Sequence, residues 1–157
     1  MSTNHYPYRI NVGFLINAVV GTYRDLTIDE PEIQLADDLT GRNIHCAIRV
    51  SKTQQGVLAE GELTAETDLE CTRCLETYTQ KLDAHFEELY CFHNKRENED
   101  AEQFLPSSGY LDLQDVVREY LLMEVPYAPV CKPDCKGLCP ICGNNLNNGP
   151  CSHPQED

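Results

Sequence analysis

Five of the nine cysteines fall within residues 131–151, and their spacing is that of metal ligands. The tail reads Cys131-Lys-Pro-Asp-Cys135-Lys-Gly-Leu-Cys139-Pro-Ile-Cys142-Gly, followed by Asn-Asn-Leu-Asn-Asn-Gly-Pro-Cys151-Ser-His153. A second Cys-x-x-Cys, Cys71-Thr-Arg-Cys74, lies some sixty residues upstream. Two thiolates two residues apart can reach one ion from a tight turn, and tetrahedral structural zinc sites are assembled from such pairs. Eight ligand candidates follow: Cys71, Cys74, Cys131, Cys135, Cys139, Cys142, Cys151 and His153. Four ligands saturate one zinc ion, so two Zn2+ ions are expected, with a one-ion arrangement as the alternative.

The tail can close one site by itself. Cys139-Pro-Ile-Cys142-Gly143 has the form of a zinc-knuckle turn, in which Gly143 permits a left-handed backbone, and Cys151 and His153 return to it after eight residues. The other site would join Cys71 and Cys74 to Cys131 and Cys135, closing the 56 residues 75–130 into a loop. Both sets are sulfur-rich and closed, unlike catalytic zinc, which keeps an open position. No phosphate-binding glycine loop or nucleophile elbow is present, and no enzymatic activity is expected. Iron held as in rubredoxin also uses such pairs. A dithiol redox role for Cys71 and Cys74 would require a strand-then-helix setting that the flanking sequence lacks.

The remaining cysteines and histidines read differently. Cys46 alternates with Ile44, Ile48 and Val50 and is expected as a small buried hydrophobe. Cys91 is expected as a structural or free thiol, and His85 and His93 as surface imidazoles. An odd number of cysteines at metal spacing points to a reducing compartment rather than a disulfide scaffold.

The elements that must position these ligands are mostly strands. A strand is expected from Arg9 to Val12, then a short helix or strand over 13–19, and a strand over 22–29 ended by Glu30-Pro31-Glu32. Period-two patterns from Asn43 and over 57–69 flank the turn Thr53-Gln-Gln-Gly56, predicting a hairpin that runs directly into Cys71. A third strand over 78–92 is long enough that a bend or bulge is expected within it. Residues 94–109 are acidic and read as a mobile linker. A helix is expected over 112–124, capped by Asp112, with Leu113, Val116, Val117, Tyr120 and Leu121 as its buried stripe. The fold class is therefore α+β and β-rich: an antiparallel sheet, one main packed helix and a zinc-knuckle-like C-terminal segment. Residues 1–130 form the core domain, and 131–157 a cysteine-rich tail clamped to it.

Twelve basic residues face 26 acidic ones, a net charge of −14. Seven bound thiolates outweigh two divalent ions, so metal loading leaves the chain no less acidic. Phosphate backbones are bound by clustered Lys and Arg, which makes a basic protein partner at least as plausible as direct RNA contact. Arg73, Lys132 and Lys136, within the metal loops, form the best candidate cationic patch for RNA or another partner. No apolar run reaches the roughly 18 residues of a membrane span, and a soluble, cytoplasmic protein with no membrane role and no small-molecule substrate is expected.

Three segments together resemble the bacterial YceD family and its plastid relatives: Leu69-Glu-Cys-Thr-Arg-Cys-Leu-Glu76, the helix leading to Val125-Pro126, and Cys135-Lys-Gly-Leu-Cys-Pro-Ile-Cys-Gly-Asn-Asn-Leu-Asn. The resemblance spans most of the chain from Ile10 to His153. Some members are similar at Cys71/Cys74 and near Cys131/Cys135 while lacking the knuckle, which implies the same partition of ligands. Many members close with Cys-x-Cys where this chain has Cys151-Ser-His153. The resemblance implies a non-catalytic role in 23S ribosomal RNA accumulation and large-subunit biogenesis, with a ribosomal protein or precursor 23S rRNA as partner. The alternative is a zinc-handling or thiol-redox protein.

Overall fold

The computed structural model describes residues 5–93 and 98–153. Its centre is a four-stranded antiparallel meander of β2 (Tyr23–Ala36), β3 (Leu39–Lys52), β4 (Gly56–Glu70) and β5 (Thr77–Cys91), hydrogen-bonded in that order. A two-stranded sheet pairs β1 (Arg9–Asn11) with β6 (Tyr110–Asp112), and a single turn of helix, α1 (Gly13–Ile16), follows β1. The main helix α2 (Gln114–Met123) packs across β2, β4 and β5. The fold is thus β-rich and antiparallel with one main helix, ending in the cysteine-rich segment.

Strict alternation builds one buried face. Ile44, Cys46, Ile48 and Val50 of β3 lie beside Val57, Ala59, Leu63 and Ala65 of β4 and Leu82, Phe86 and Tyr90 of β5, all buried. Leu113, Val117 and Leu121 close over them, with Val116 and Tyr120 at the margin of the same stripe. The helix is shorter than expected. It begins at Gln114, whose N–H donates to Asp112 Oδ1 at 3.0 Å, so Asp112 sits just ahead of the first turn.

Three expectations need correction. Glu30-Pro31-Glu32 does not end the second strand, which runs on to Ala36. The strand lies at the sheet edge, where proline costs no ladder bond on its open side, and the pairing with β3 resumes at Glu32. No bulge interrupts β5, whose register against β4 is continuous from Glu70↔Thr77 to Gly56↔Cys91. Gly61 makes this possible: a Cβ there would lie 2.3 Å from the Phe86 ring, so the missing side chain is the space that the ring fills. The irregularity falls instead in β3, where Asn43 takes a left-handed φ of 51° and the pairing with β4 slips between Arg42 and His45.

The third correction concerns the acidic segment over 94–109. Residues 94–97 lie outside the described residues, but 98–109 are anchored. Asn98 is buried, its Nδ2 donating to the carbonyls of Gln55 (2.9 Å) and Phe92 (3.1 Å). Leu105 joins the core while its N–H donates to the Cys91 carbonyl at 2.9 Å. Two anchoring side chains outweigh the acidic composition.

Candidate metal centre

The loop from β4 to β5, residues 71–76, is a closed turn. Leu75 N–H donates to the Cys71 carbonyl and Cys71 N–H to the Glu76 carbonyl, each at 2.9 Å. Leu75 pays for the tightness with a left-handed φ of 63°. The turn presents both thiols to the segment that follows α2. There Thr72 holds the Pro129 carbonyl twice, through its N–H at 2.8 Å and its hydroxyl at 3.0 Å. Arg73 donates from its guanidinium to the carbonyls of Cys135 (3.2 Å) and Pro133 (3.4 Å).

These bonds bring Cys71, Cys74, Cys131 and Cys135 together, their sulfurs all within 4.8 Å of one another. Cys71 and Cys135 are 3.8 Å apart, Cys74 and Cys131 3.7 Å. Four sulfurs placed tetrahedrally at about 2.3 Å from one ion would stand about 3.8 Å apart, whereas a disulfide would bring a pair to about 2.0 Å. No disulfide joins any of the nine cysteines. Tyr78, Val130 and Leu138, partly buried themselves, pack against the cluster.

The electrostatics fit a cation. Burial opposes ionisation of Cys71, yet the amides of Cys74, Cys131 and Arg73 converge on its sulfur and bring the thiol down to about 6. An N–H of the Asn147 side chain lowers Cys135 in the same sense. Cys131 is pushed up to about 12 by burial and by the neighbouring thiols of Cys135, Cys74 and Cys71. Four thiolates this close repel one another, so two ionise readily only where others keep their protons; a divalent ion replaces those protons.

A second group gathers Cys139, Cys142, Cys151 and His153, again with ligand atoms within 4.8 Å. Cys139 Sγ lies 3.8 Å from His153 Nδ1, close to the roughly 3.6 Å expected for a sulfur and an imidazole nitrogen on one tetrahedral ion. Gly143, at a φ of 74°, turns the chain so that its N–H meets the Cys139 carbonyl at 2.9 Å. The amides of Cys142 and Ile141 hold the Cys139 thiol down at about 6. Cys139 is buried and Cys142 exposed. Each group could hold a metal ion, and the eight residues divide as the spacing suggests.

The other candidates stand apart. Cys46 is fully buried in the main core, where burial and the nearby Asp29 and Glu30 push its thiol up to about 12. Cys91 is buried at the end of β5, with its N–H on the Gln103 carbonyl. His85 faces outward from the sheet, and the His93 ring stacks on Phe104 at 4.7 Å. Among the proposed cations, Lys132 and Lys136 are exposed, but the guanidinium of Arg73 is directed to backbone carbonyls. Asn147 escapes a reading of ligand spacing: it sits in the run Asn-Asn-Leu-Asn-Asn, which passes as a polar spacer, and it touches the first group rather than the second.

The chain is 33% identical over 106 residues to an uncharacterized protein of Mycobacterium tuberculosis, spanning 66% of this chain and 51% of the relative. It is 30% identical over 119 residues to an uncharacterized protein of Mycobacterium leprae, spanning 74% and 54%. Against the chloroplastic large ribosomal RNA subunit accumulation protein YCED homolog 1 of Arabidopsis thaliana it is 22% identical over 146 residues, spanning 74% and 46%. The chain spans about half the length of the curated relatives it matches. No solved structure matches it. The family model for large ribosomal RNA subunit accumulation protein YceD matches residues 59–157, a stretch holding all eight ligand candidates, and the chain belongs to that family.

Proposed function

We propose that the chain is a non-catalytic, zinc-stabilised factor supporting 23S rRNA accumulation, acting in the cytoplasm by binding a basic protein of the large ribosomal subunit. The observation that carries this reading is the pair of four-ligand groups, closed by protein ligands, of which the first joins the tail to the β4–β5 turn and the second lies within the tail. Cys71, Cys74, Cys131 and Cys135 would hold one ion, and Cys139, Cys142, Cys151 and His153 the other. Zinc supplies a rigid tetrahedral cross-link there, and sulfur-rich ligation suits it. The family description supplies the ribosomal context.

The choice of a protein partner rests on charge. The sheet face opposite α2 presents Asp25, Asp29, Glu60, Glu62, Asp83 and Glu87. Its arginines are already engaged: Arg49 donates to both carboxylate oxygens of Asp25, at 2.7 and 3.0 Å, and Arg42 to Asp68 at 2.6 Å. Such a face repels phosphates and attracts Lys- and Arg-rich segments. No helix among the described residues is long and apolar enough to cross a membrane.

Recovery of the tagged chain from cells at two salt concentrations, before and after RNase, tests the reading. Large-subunit proteins should remain bound after RNase and weaken with salt, and the double substitution Glu60→Lys/Glu62→Lys should reduce their recovery several-fold. Enrichment of neither ribosomal protein nor ribosomal RNA would overturn it. Recovery abolished by RNase would make RNA the direct partner.

A further inference from the structure

The two ligand groups share a joint, and Asn147 is its centre. The residue belongs to a 3-10 turn, Leu146–Asn148, that lies between the two ligand pairs of the tail group. Its side chain reaches away from that group. Nδ2 donates to Cys135 Sγ at 3.3 Å, and Oδ1 accepts from the Lys136 N–H at 2.9 Å. The turn is itself fixed by the tail loop: Leu146 N–H donates to the Gly137 carbonyl (2.9 Å), Cys139 N–H to the Asn144 carbonyl (2.8 Å), and Asn147 N–H to Asn145 Oδ1 (2.9 Å). On its other side Gly137 packs against the backbone of Arg73, where a Cβ would lie 3.2 Å from the Arg73 carbonyl oxygen.

We infer that Asn147 couples the two metal sites, so that loading the Cys139, Cys142, Cys151 and His153 group raises the metal affinity of the Cys71, Cys74, Cys131 and Cys135 group. The inference rests on the two-ion reading above. The physical reason is the cost of placing the donor. Loop 143–150 has few apolar anchors beyond Leu146, so its ordering depends on the ligands at either end. Once ordered, it delivers an N–H to the sulfur of Cys135, a residue only 5% exposed, where water cannot readily replace it. Hydrogen-bond partners of metal ligands are worth about 10–100-fold in affinity. Linkage makes the effect reciprocal: metal at the first group favours the second by the same factor.

The test is titration of the full chain with Co(II), followed by Zn(II) in competition with a chromophoric chelator. Four-sulfur and sulfur–imidazole cobalt centres absorb differently, so each site is read separately. Cys139→Ser/Cys142→Ser and Asn147→Leu should each weaken the four-sulfur site by about 10–100-fold, and the combination should cost little more than either alone. N147D, which keeps the acceptor for Lys136 and loses the donor to sulfur, should weaken it similarly. Asn147→Leu should also shift the thiolate-to-cobalt charge-transfer band, which a contact that merely shapes the loop would leave in place. Affinities within about twofold of wild type in the tail-pair variant, or losses that simply add, would overturn the coupling while leaving two metal sites. A wild-type chain that takes up no cobalt would overturn the two-ion reading and the coupling with it.

Discussion

Cys46 and Cys135 are both buried thiols, and their neighbours give them opposite roles. Cys135 faces three other sulfurs and receives an N–H from Asn147, which stabilises its thiolate. Cys46 faces the main apolar core, and burial raises it from an ordinary 9.0 to about 12. A thiol raised on folding contributes stability that is fully present below the unfolded value and is lost as pH climbs from there toward the folded one. Between pH 8 and pH 10 the urea midpoint should therefore fall, and Cys46→Ala should remove about 1 kcal/mol of that fall. An identical drop in both proteins would contradict the assignment. The role of Cys46 was legible because its period-two neighbours are aliphatic. That of Asn147 was not, because ligand spacing identifies what touches an ion and not what touches the ligand.

Among the elements, the hairpin of β4 and β5 carries the most weight, since its turn is one jaw of the clamp and its strands are half of the sheet. Alternation makes this hairpin, the core face and the helix stripe readable in the sequence. What alternation could not convey was compensation between strands: Pro31 tolerated at an edge, Phe86 accommodated by Gly61, a bulge moved to Asn43. Each depends on a residue on a neighbouring strand or on strand order. The clamp predicts a hierarchy of damage. Cys71→Ser/Cys74→Ser should remove a cross-link closing 56 residues, 75–130, worth about 4 kcal/mol or ~10 °C in melting midpoint, and open β4 and β5 to hydrogen exchange. Cys139→Ser/Cys142→Ser should cost less, acting on the rest through Asn147 and the Gly137 contact with Arg73, with faster exchange confined to 131–153. Equal loss of melting midpoint in the two variants, or equal opening of the sheet, would contradict two separable sites.

The whole molecule has an acidic sheet on one side and a cysteine-rich tail held against one end of it. In the proposed reading, two zinc ions fix this shape. Native mass spectrometry of the chain purified without added metal, with elemental quantitation of the same sample, tests that claim most directly. Two zinc ions per chain and no disulfide are expected, falling to one ion in the Cys139→Ser/Cys142→Ser protein. A chain that carries no zinc, or one whose cysteines are paired as disulfides, would contradict it.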